Sequence, residues 1–415
     1  MLVPLWNRVT LRYVALAAIL LFVLHASFSL THEHNPLPRL KTAFSNLKGG
    51  DPSSDIFNRT LGFEKVFAIG LPARTDKRDI TALASSLSEF DITWLPGVLF
   101  RDMDAKAIPD GWDMDPAIQG SEKEAFIGSW RAHMDALVHI VENNIQTALI
   151  LEDDADWDIT IKQQFSHFAT GAKALQELRS NRTAPSDSAY GRDWDVLWLG
   201  HRKVGPDNAR QPVYVLTNDT TVPPVDVRHG YWRQSHVPTE AGADNTRLIV
   251  RTRFSSGTFA YAVNLRSALK IVAALQVNTQ PYDIALSQMC HENYIKPFDC
   301  YAPYPPLMAT HRAAGSASRD SDIHTVAAAT AQMHEESTWD VVYSVMQNVK
   351  TLLAGDRWVK SQWPKQTAPG RWADDILQVQ GRVEWMDFEN MQEKHIKNIN
   401  GEEKKPAAGS SCETE

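Results

Sequence analysis

Short apolar runs alternate with helical patterns through the middle of this chain, and that alternation leaves few architectures open. VFAIGL at 66–71 reads as a buried strand, followed by polar ARTDKR and a helical stretch that continues to Phe90. A second helix is predicted from near Ser121, where Glu124 follows at capping-box spacing. Its apolar positions Ile127, Trp130, Met134, Leu137, Val138 and Val141 step by three and four, as one helical face requires, and Asn143-Asn144 ends it. TALIL at 147–151, WDVLWLG at 194–200, RLIVRTR at 247–253 and GTFAYAV at 257–263 read as further strands, with a helix over 265–275. Strands separated by helices predict an α/β fold with a mainly parallel central sheet. In such sheets ligands bind beyond the carboxyl ends of the strands.

One of those ends is strongly acidic. TALIL runs directly into Glu152-Asp153-Asp154, and three carboxylates in succession repel one another unless something positive lies between them. A hard divalent cation such as Mn²⁺ or Mg²⁺ takes oxygen ligands and often keeps a substrate phosphate as a further one. The alternative is a solvated acidic turn. Asp156 and Asp158 alternate with Trp157 and read as the start of the next element.

Composition narrows the partners. The chain has 415 residues, 43% apolar and 22% charged, which suits a packed core with tails. Its net charge of −8 offers no basic excess for a nucleic acid. Three cysteines do not make a disulfide scaffold. Cys290 and Cys300, ten residues apart, either pair in an oxidising lumen or are buried thiols, and Cys412 lies in a charged tail.

The N-terminus points to a membrane. Residues 13–30 read YVALAAILLFVLHASFSL, preceded by Arg8 and Arg12. About 18 residues at 1.5 Å rise give roughly 27 Å, enough for a thin bilayer. Basic residues ahead of the span leave 1–12 as a cytosolic tail and put the body in the lumen, a single-pass type II arrangement in the Golgi or ER membrane. A signal peptide cleaved to release a secreted body is the alternative. Asn58, Asn181 and Asn218 each precede a threonine by two residues, the acceptor pattern for N-glycosylation on that route. Pro36, Pro38 and Gly49-Gly50-Asp51-Pro52 mark 31–62 as a stem. A single catalytic domain is expected over 63–355, an extension over 356–393, and a disordered Lys/Glu-rich tail over 394–415.

The string FIGSWRAHMDALVHIVENNIQTALILEDDADWD at 126–158 resembles the central motif of glycosyltransferase family 25, which includes bacterial lipopolysaccharide galactosyltransferases and animal procollagen galactosyltransferases. That family shows Gly-Cys-x-x-Ser-His before the helix, then an apolar strand ending in Glu-Asp-Asp. VFAIGLPARTDKRD at 66–79, WDVLWLGH at 194–201, and GTFAYAVNLRSALKIV followed by Gln280-Pro281-Tyr282-Asp283 fall in the family's order, so the likeness extends over roughly 66–323. Ser129 stands in place of the family's cysteine and Ala132 in place of its serine, while His133 is kept. The segment 201–246 has no counterpart in the motif set. The resemblance implies a GT-A-like fold, a UDP-sugar donor, Mn²⁺, and transfer of a hexose, galactose first, with inversion to a glycan or glycoprotein acceptor.

On that reading Asp153 and Asp154 are the metal-side carboxylates, with Glu152 a ligand or its support and His311 or His324 a later ligand. Arg74 and Arg78 face the nucleotide, His133 contacts the donor or is a structural histidine, and Gly257 and Tyr261 shape the acceptor-side wall. Inversion needs a general base opposite the leaving group, and Asp283 is the choice, with a helix-capping role as its alternative. Trp94, Trp112, Trp198 and Trp232 either stack on sugars or pack the core. Two rival functions remain: a non-catalytic lumenal binding protein on a degenerate transferase fold, and a secreted metal-dependent phosphoester hydrolase.

Overall fold

The computed structural model describes residues 52–112, 120–180, 188–206, 210–228, 245–292, 295–324 and, with short breaks, 327–387. The expected cytosolic tail (1–12), anchor (13–30), most of the stem, the tail from 394, Asn181 and Trp232 lie outside these residues. Among the described residues no helix is long and apolar enough to cross a membrane.

Among the described residues thirteen strands form one sheet: β1 (Lys65–Gly70), β2 (Thr93–Pro96), β3 (Thr147–Glu152), β4 (Ala155–Trp157), β5 (Val196–Gly200), β6 (Lys203–Pro206), β7 (Arg210–Thr217), β8 (Arg247–Ser256), β9 (Ala260–Asn264), β10 (Cys300–Tyr304), β11 (Met308–Arg312), β12 (Ser337–Thr338) and β13 (Gln380–Asp387). Its main path runs β13-β7-β8-β10-β5-β9-β3-β1-β2. β1 pairs in parallel with β2 and β3, and β10 with β5, while β9 runs antiparallel between β3 and β5. The pairings give β2, β1, β3, β5, β10 and β7 one common sense, so their carboxyl ends share one edge.

Among the described residues six helices cover the faces: α1 (Thr75–Leu87), α2 (Ser121–Glu142), α3 (Ile161–Ser180), α4 (Leu265–Leu275), α5 (Tyr282–Glu292) and α6 (Val345–Leu353). Strand alternation sends Ala148 and Ile150 of β3, with Val196 and Trp198 of β5, into one apolar cluster beside Trp130, Leu137, Ile271 and Leu286. Leu149 and Leu151, with Leu197 and Leu199, enter the opposite cluster beside Ala84, Phe165, Phe168 and Val345. Burial on both faces explains why these strands read as continuous apolar runs. Each such leucine or isoleucine contributes about 1.5–3 kcal/mol. The result is an α/β, GT-A-like body of one domain, as expected.

Details differ from the expectation at several points. Ser121 is the first residue of α2; Gly120 holds the cap position and no side chain caps the helix, so the capping box does not form there. The box occurs instead on α4, where Asn264 and Ser267 exchange side-chain and backbone hydrogen bonds. The body begins before residue 63, because Ile56 and Leu61 are fully buried in the second cluster. It also reaches past 355, because β13 completes the sheet against β7 along its whole length. Cys290 at the end of α5 is disulfide-bonded to Cys300 at the start of β10.

Candidate active site

A cleft of about 600 Å³ opens at the carboxyl edge of the sheet. β1, β2, β3 and β11 end there, α2 walls it with Gly128, Ser129, Ala132 and His133, and α5 contributes Tyr282 and Asp283. Glu152, Asp153 and Asp154 all line it, so the triplet faces a cleft and not an open surface.

The strand end splits the triplet to two sides. The Glu152 carboxylate accepts a 2.7 Å hydrogen bond from the Thr258 hydroxyl and lies 3.7 Å from Nε2 of His133. Asp153 turns toward α1, where Nζ of Lys77 donates to its Oδ1 at 2.9 Å and the Thr81 hydroxyl donates to its carbonyl at 3.0 Å. Lys77 and Thr81 are four apart on one helical face, so a single helix grips both the side chain and the backbone of Asp153. Asp154 accepts from Nη1 of Arg312 at 2.7 Å, with Lys77 at 3.7 Å.

Burial pushes the Asp153 carboxyl above its ordinary range, against the pull of Lys77. Burial also penalises charge on Asp154, but Lys77 and Arg312 outweigh it and hold that carboxyl low. For Lys77 the same burial is overcome by Asp154, Asp153 and Asp322, which hold its ammonium charged.

The second wall carries Asp283. Its carboxylate accepts the Gly257 N–H at 2.7 Å, and burial raises it above the usual carboxylate range despite that bond and one from Ile284. Gly257 has φ +78°, a conformation that costs an L-residue roughly 1–2 kcal/mol, and a Cβ there would meet the Arg202 nitrogen at 3.2 Å. Glycine thereby lets the turn before β9 aim its N–H at Asp283. His133 stacks on Tyr282 at 4.4 Å, and its Nδ1 lies 3.1 Å from the Tyr261 hydroxyl.

The structure therefore brings together Glu152, Asp153, Asp154, His133, Gly257, Asp283 and His324, leaves Arg74 at the rim, and sets three expected site residues elsewhere. Tyr261 is fully buried beneath His133 and forms no acceptor-side wall. The His311 ring hydrogen-bonds Thr338 at 3.0 Å: on β11, Thr310 and Arg312 face the cleft, and strand alternation turns His311 the other way. Arg78 stacks over the Trp94 ring at 4.9 Å. Arg74 sits at the rim, paired with Asp76 and Asp322. Trp112 and Trp198 are core residues, and no described tryptophan lines the cleft. Lys77, Arg312, Thr258 and Asp322 were not singled out from sequence. The one available signal was that Lys77 and Thr81 share a helical face.

Among the described residues no three His, Cys, Asp or Glu side chains already converge as a metal-holding group. Charge nonetheless leaves room for a cation: among the described lining residues there are six carboxylates beside Lys77, Arg101 and Arg312, with Arg74 at the rim paired to Asp322. Oxygen donors in such excess fit a hard divalent ion.

A GT-A-like sheet with an acidic strand end lining a cleft is the arrangement that the family-25 resemblance implies. Comparison with known proteins agrees. No protein-family model matches the chain. It is 21% identical over 271 residues to procollagen galactosyltransferase 1 of Danio rerio, covering 60% of this chain and 35% of that one. It is 20% identical over 315 residues to the probable inactive glycosyltransferase 25 family member 3 of Bos taurus, covering 71% and 44%. Against procollagen galactosyltransferase 2 of Homo sapiens it is 21% identical over 194 residues, covering 44% and 27%. The chain thus spans less than half the length of these relatives. Its likeness to glycosyltransferase family 25, active and inactive members alike, is that of a divergent relative.

Proposed function

We propose that the chain transfers a hexose, galactose first, from a UDP-sugar to a glycan or glycoprotein acceptor, with inversion. The observation that carries this reading is that the acidic end of β3 and the carboxylate of Asp283 face one cleft from different walls. Asp283 would take the proton from the acceptor hydroxyl, and a carboxylate raised by burial is a better base than a free one. Asp153 and Asp154 are the residues that would hold Mn²⁺ or Mg²⁺, with Glu152 turned toward Thr258 as their neighbour. When bound, such an ion supplies positive charge for the departing nucleoside diphosphate. Glu152, through Thr258, ties β3 to the turn that positions Asp283.

We place the body in the lumen of the secretory pathway, anchored through 13–30. The Cys290–Cys300 disulfide suits an oxidising compartment, and Asn58 and Asn218 are exposed in turns.

A second reading, a lumenal binding protein without turnover, is favoured by the name of one relative, an inactive glycosyltransferase 25 family member 3 of Homo sapiens, 21% identical over 285 residues. Incubation with UDP-hexoses, Mn²⁺ and acceptor glycans separates the two. Metal-dependent UDP release that is lost in a folded Asp153→Asn/Asp154→Asn double variant supports the transferase. UDP binding without release supports the binder, and phosphate release independent of any sugar supports a hydrolase.

A further inference from the structure

Arg74 at the cap position of α1 stands at the cleft's rim, Lys77 in the first turn lines the cleft, and one carboxylate takes both. Nη1 of Arg74 and Nζ of Lys77 each bond Oδ2 of Asp322, the latter at 2.9 Å. Nη2 of Arg74 also donates to the Arg319 carbonyl at 2.9 Å, so the strap around 319–322 rests on these two side chains. The two cations are 18% and 11% exposed, and Asp322 is 31% exposed. The cations are thus largely withdrawn from water, where ionic contacts are stronger than on the surface.

Asp153 and Asp154 are the other carboxylates near Lys77, and they are fixed by their backbone as well as their side chains: Thr81 binds the carbonyl of Asp153, and the N–H of His311 binds that of Asp154 at 2.8 Å. Asp322 belongs to no strand or helix and is the most exposed of the three. It is therefore the anion most readily exchanged. A phosphate oxygen offers a guanidinium and an ammonium the same acceptor as a carboxylate, and a helix N-terminus favours either anion.

We propose that Arg74 and Lys77 form a diphosphate subsite and that Asp322 is an internal anion occupying it until the donor's diphosphate displaces it. This rests on the reading of the cleft as a nucleotide-sugar site. It assigns a binding role to Lys77 and makes Asp322 a competitor of the donor.

Calorimetric titration of the full-length chain with inorganic pyrophosphate in the presence of Mn²⁺ tests it, because pyrophosphate probes the subsite without needing the right nucleoside. Asp322→Asn is expected to bind pyrophosphate about two- to fivefold more tightly than the unaltered chain. Asp322→Glu is expected to bind as the unaltered chain does, and Lys77→Met about tenfold more weakly. Asp322→Ser serves as a second neutral variant should the asparagine fold poorly. An unchanged or weakened affinity in folded Asp322→Asn or Asp322→Ser overturns the proposal, as does a glutamate that tightens binding like asparagine, or pyrophosphate that binds no form. UDP titrated in parallel separates the two levels. UDP that fails to bind while pyrophosphate binds and is tightened removes the donor reading and leaves the internal anion. UDP bound equally by the unaltered chain and Asp322→Asn, with pyrophosphate likewise indifferent, removes the internal anion and leaves the donor reading.

Discussion

Nζ of Lys77 lies 2.9 Å from Oδ1 of Asp153, joining the first helix of the body to the acidic end of its central strand. Both side chains are 11% exposed, so the pair is held in a medium where neither charge is well solvated alone. The contact decides how an acidic triplet can exist inside a cleft: part of its charge is met from within the chain, and the remaining carboxylate excess is what a metal would answer.

Loss of that lysine leaves buried carboxylates without their counter-ion. Lys77→Met is expected to lower stability by about 3 kcal/mol at neutral pH, read by denaturant unfolding. Lys77→Arg keeps the charge and is expected to recover at least half of the loss.

Gly70, the last residue of β1, leaves the space that Asp153 fills. A Cβ at that position would stand 2.7 Å from Cβ of Asp153 and 2.8 Å from its Oδ2. Gly70→Ala is therefore expected to cost about 1–3 kcal/mol through overpacking. It should also raise the KM for the donor, as steady-state kinetics alongside a melting curve can show.

Asp283 has a pH signature in both rate and stability. Because burial raises its carboxyl, the rate is expected to fall on the acid side through a limb above the ordinary carboxylate range. Asp283→Asn is expected to lower kcat by about 10²–10⁴-fold with little change in the donor KM. For stability the sign is opposite to that of an ion-paired carboxylate. The folded state holds the proton more tightly than the unfolded one, so the contribution is present below the ordinary carboxylate range and lost as pH rises through the raised value. Unfolding midpoints from acid to neutral pH should accordingly favour Asp283→Asn increasingly as pH rises.

The Cys290–Cys300 bond ties α5, which carries Asp283 in its first turn, to the strand β10. Closing so short a loop is expected to contribute about 2–3 kcal/mol. The Cys290→Ser/Cys300→Ser variant should lose that amount in denaturant unfolding, and reductant should lower the unaltered chain to the same midpoint.

Much of this site was legible because β3 writes its own position: a fully apolar run, buried on both faces, that stops at three acids. The helix over 265–275 was equally plain. The parts that were not legible depend on phase between elements that sequence leaves unconnected. Arg74, Lys77 and Arg78 look equivalent in a string, and only the placement of α1 beside β3 selects Lys77. His311 sits between two cleft-facing neighbours, so a one-residue uncertainty in strand phase reverses its direction. β4 has three residues, too few for a period to show, yet it buries Asp156, whose carboxylate accepts from Thr338 at 2.7 Å and from Ser344. β13 is set by pairing with β7, more than 160 residues earlier, which no local pattern announces.

The central claim is that the acidic end of β3 and Asp283 face the same bound donor. A crystal or cryo-EM map of the full chain with UDP-sugar and Mn²⁺ tests it most directly. The account predicts density for the diphosphate beside Asp153 and Asp154, with the sugar's anomeric carbon turned toward Asp283. A nucleotide bound elsewhere, or one whose diphosphate lies away from residues 152–154, would contradict it.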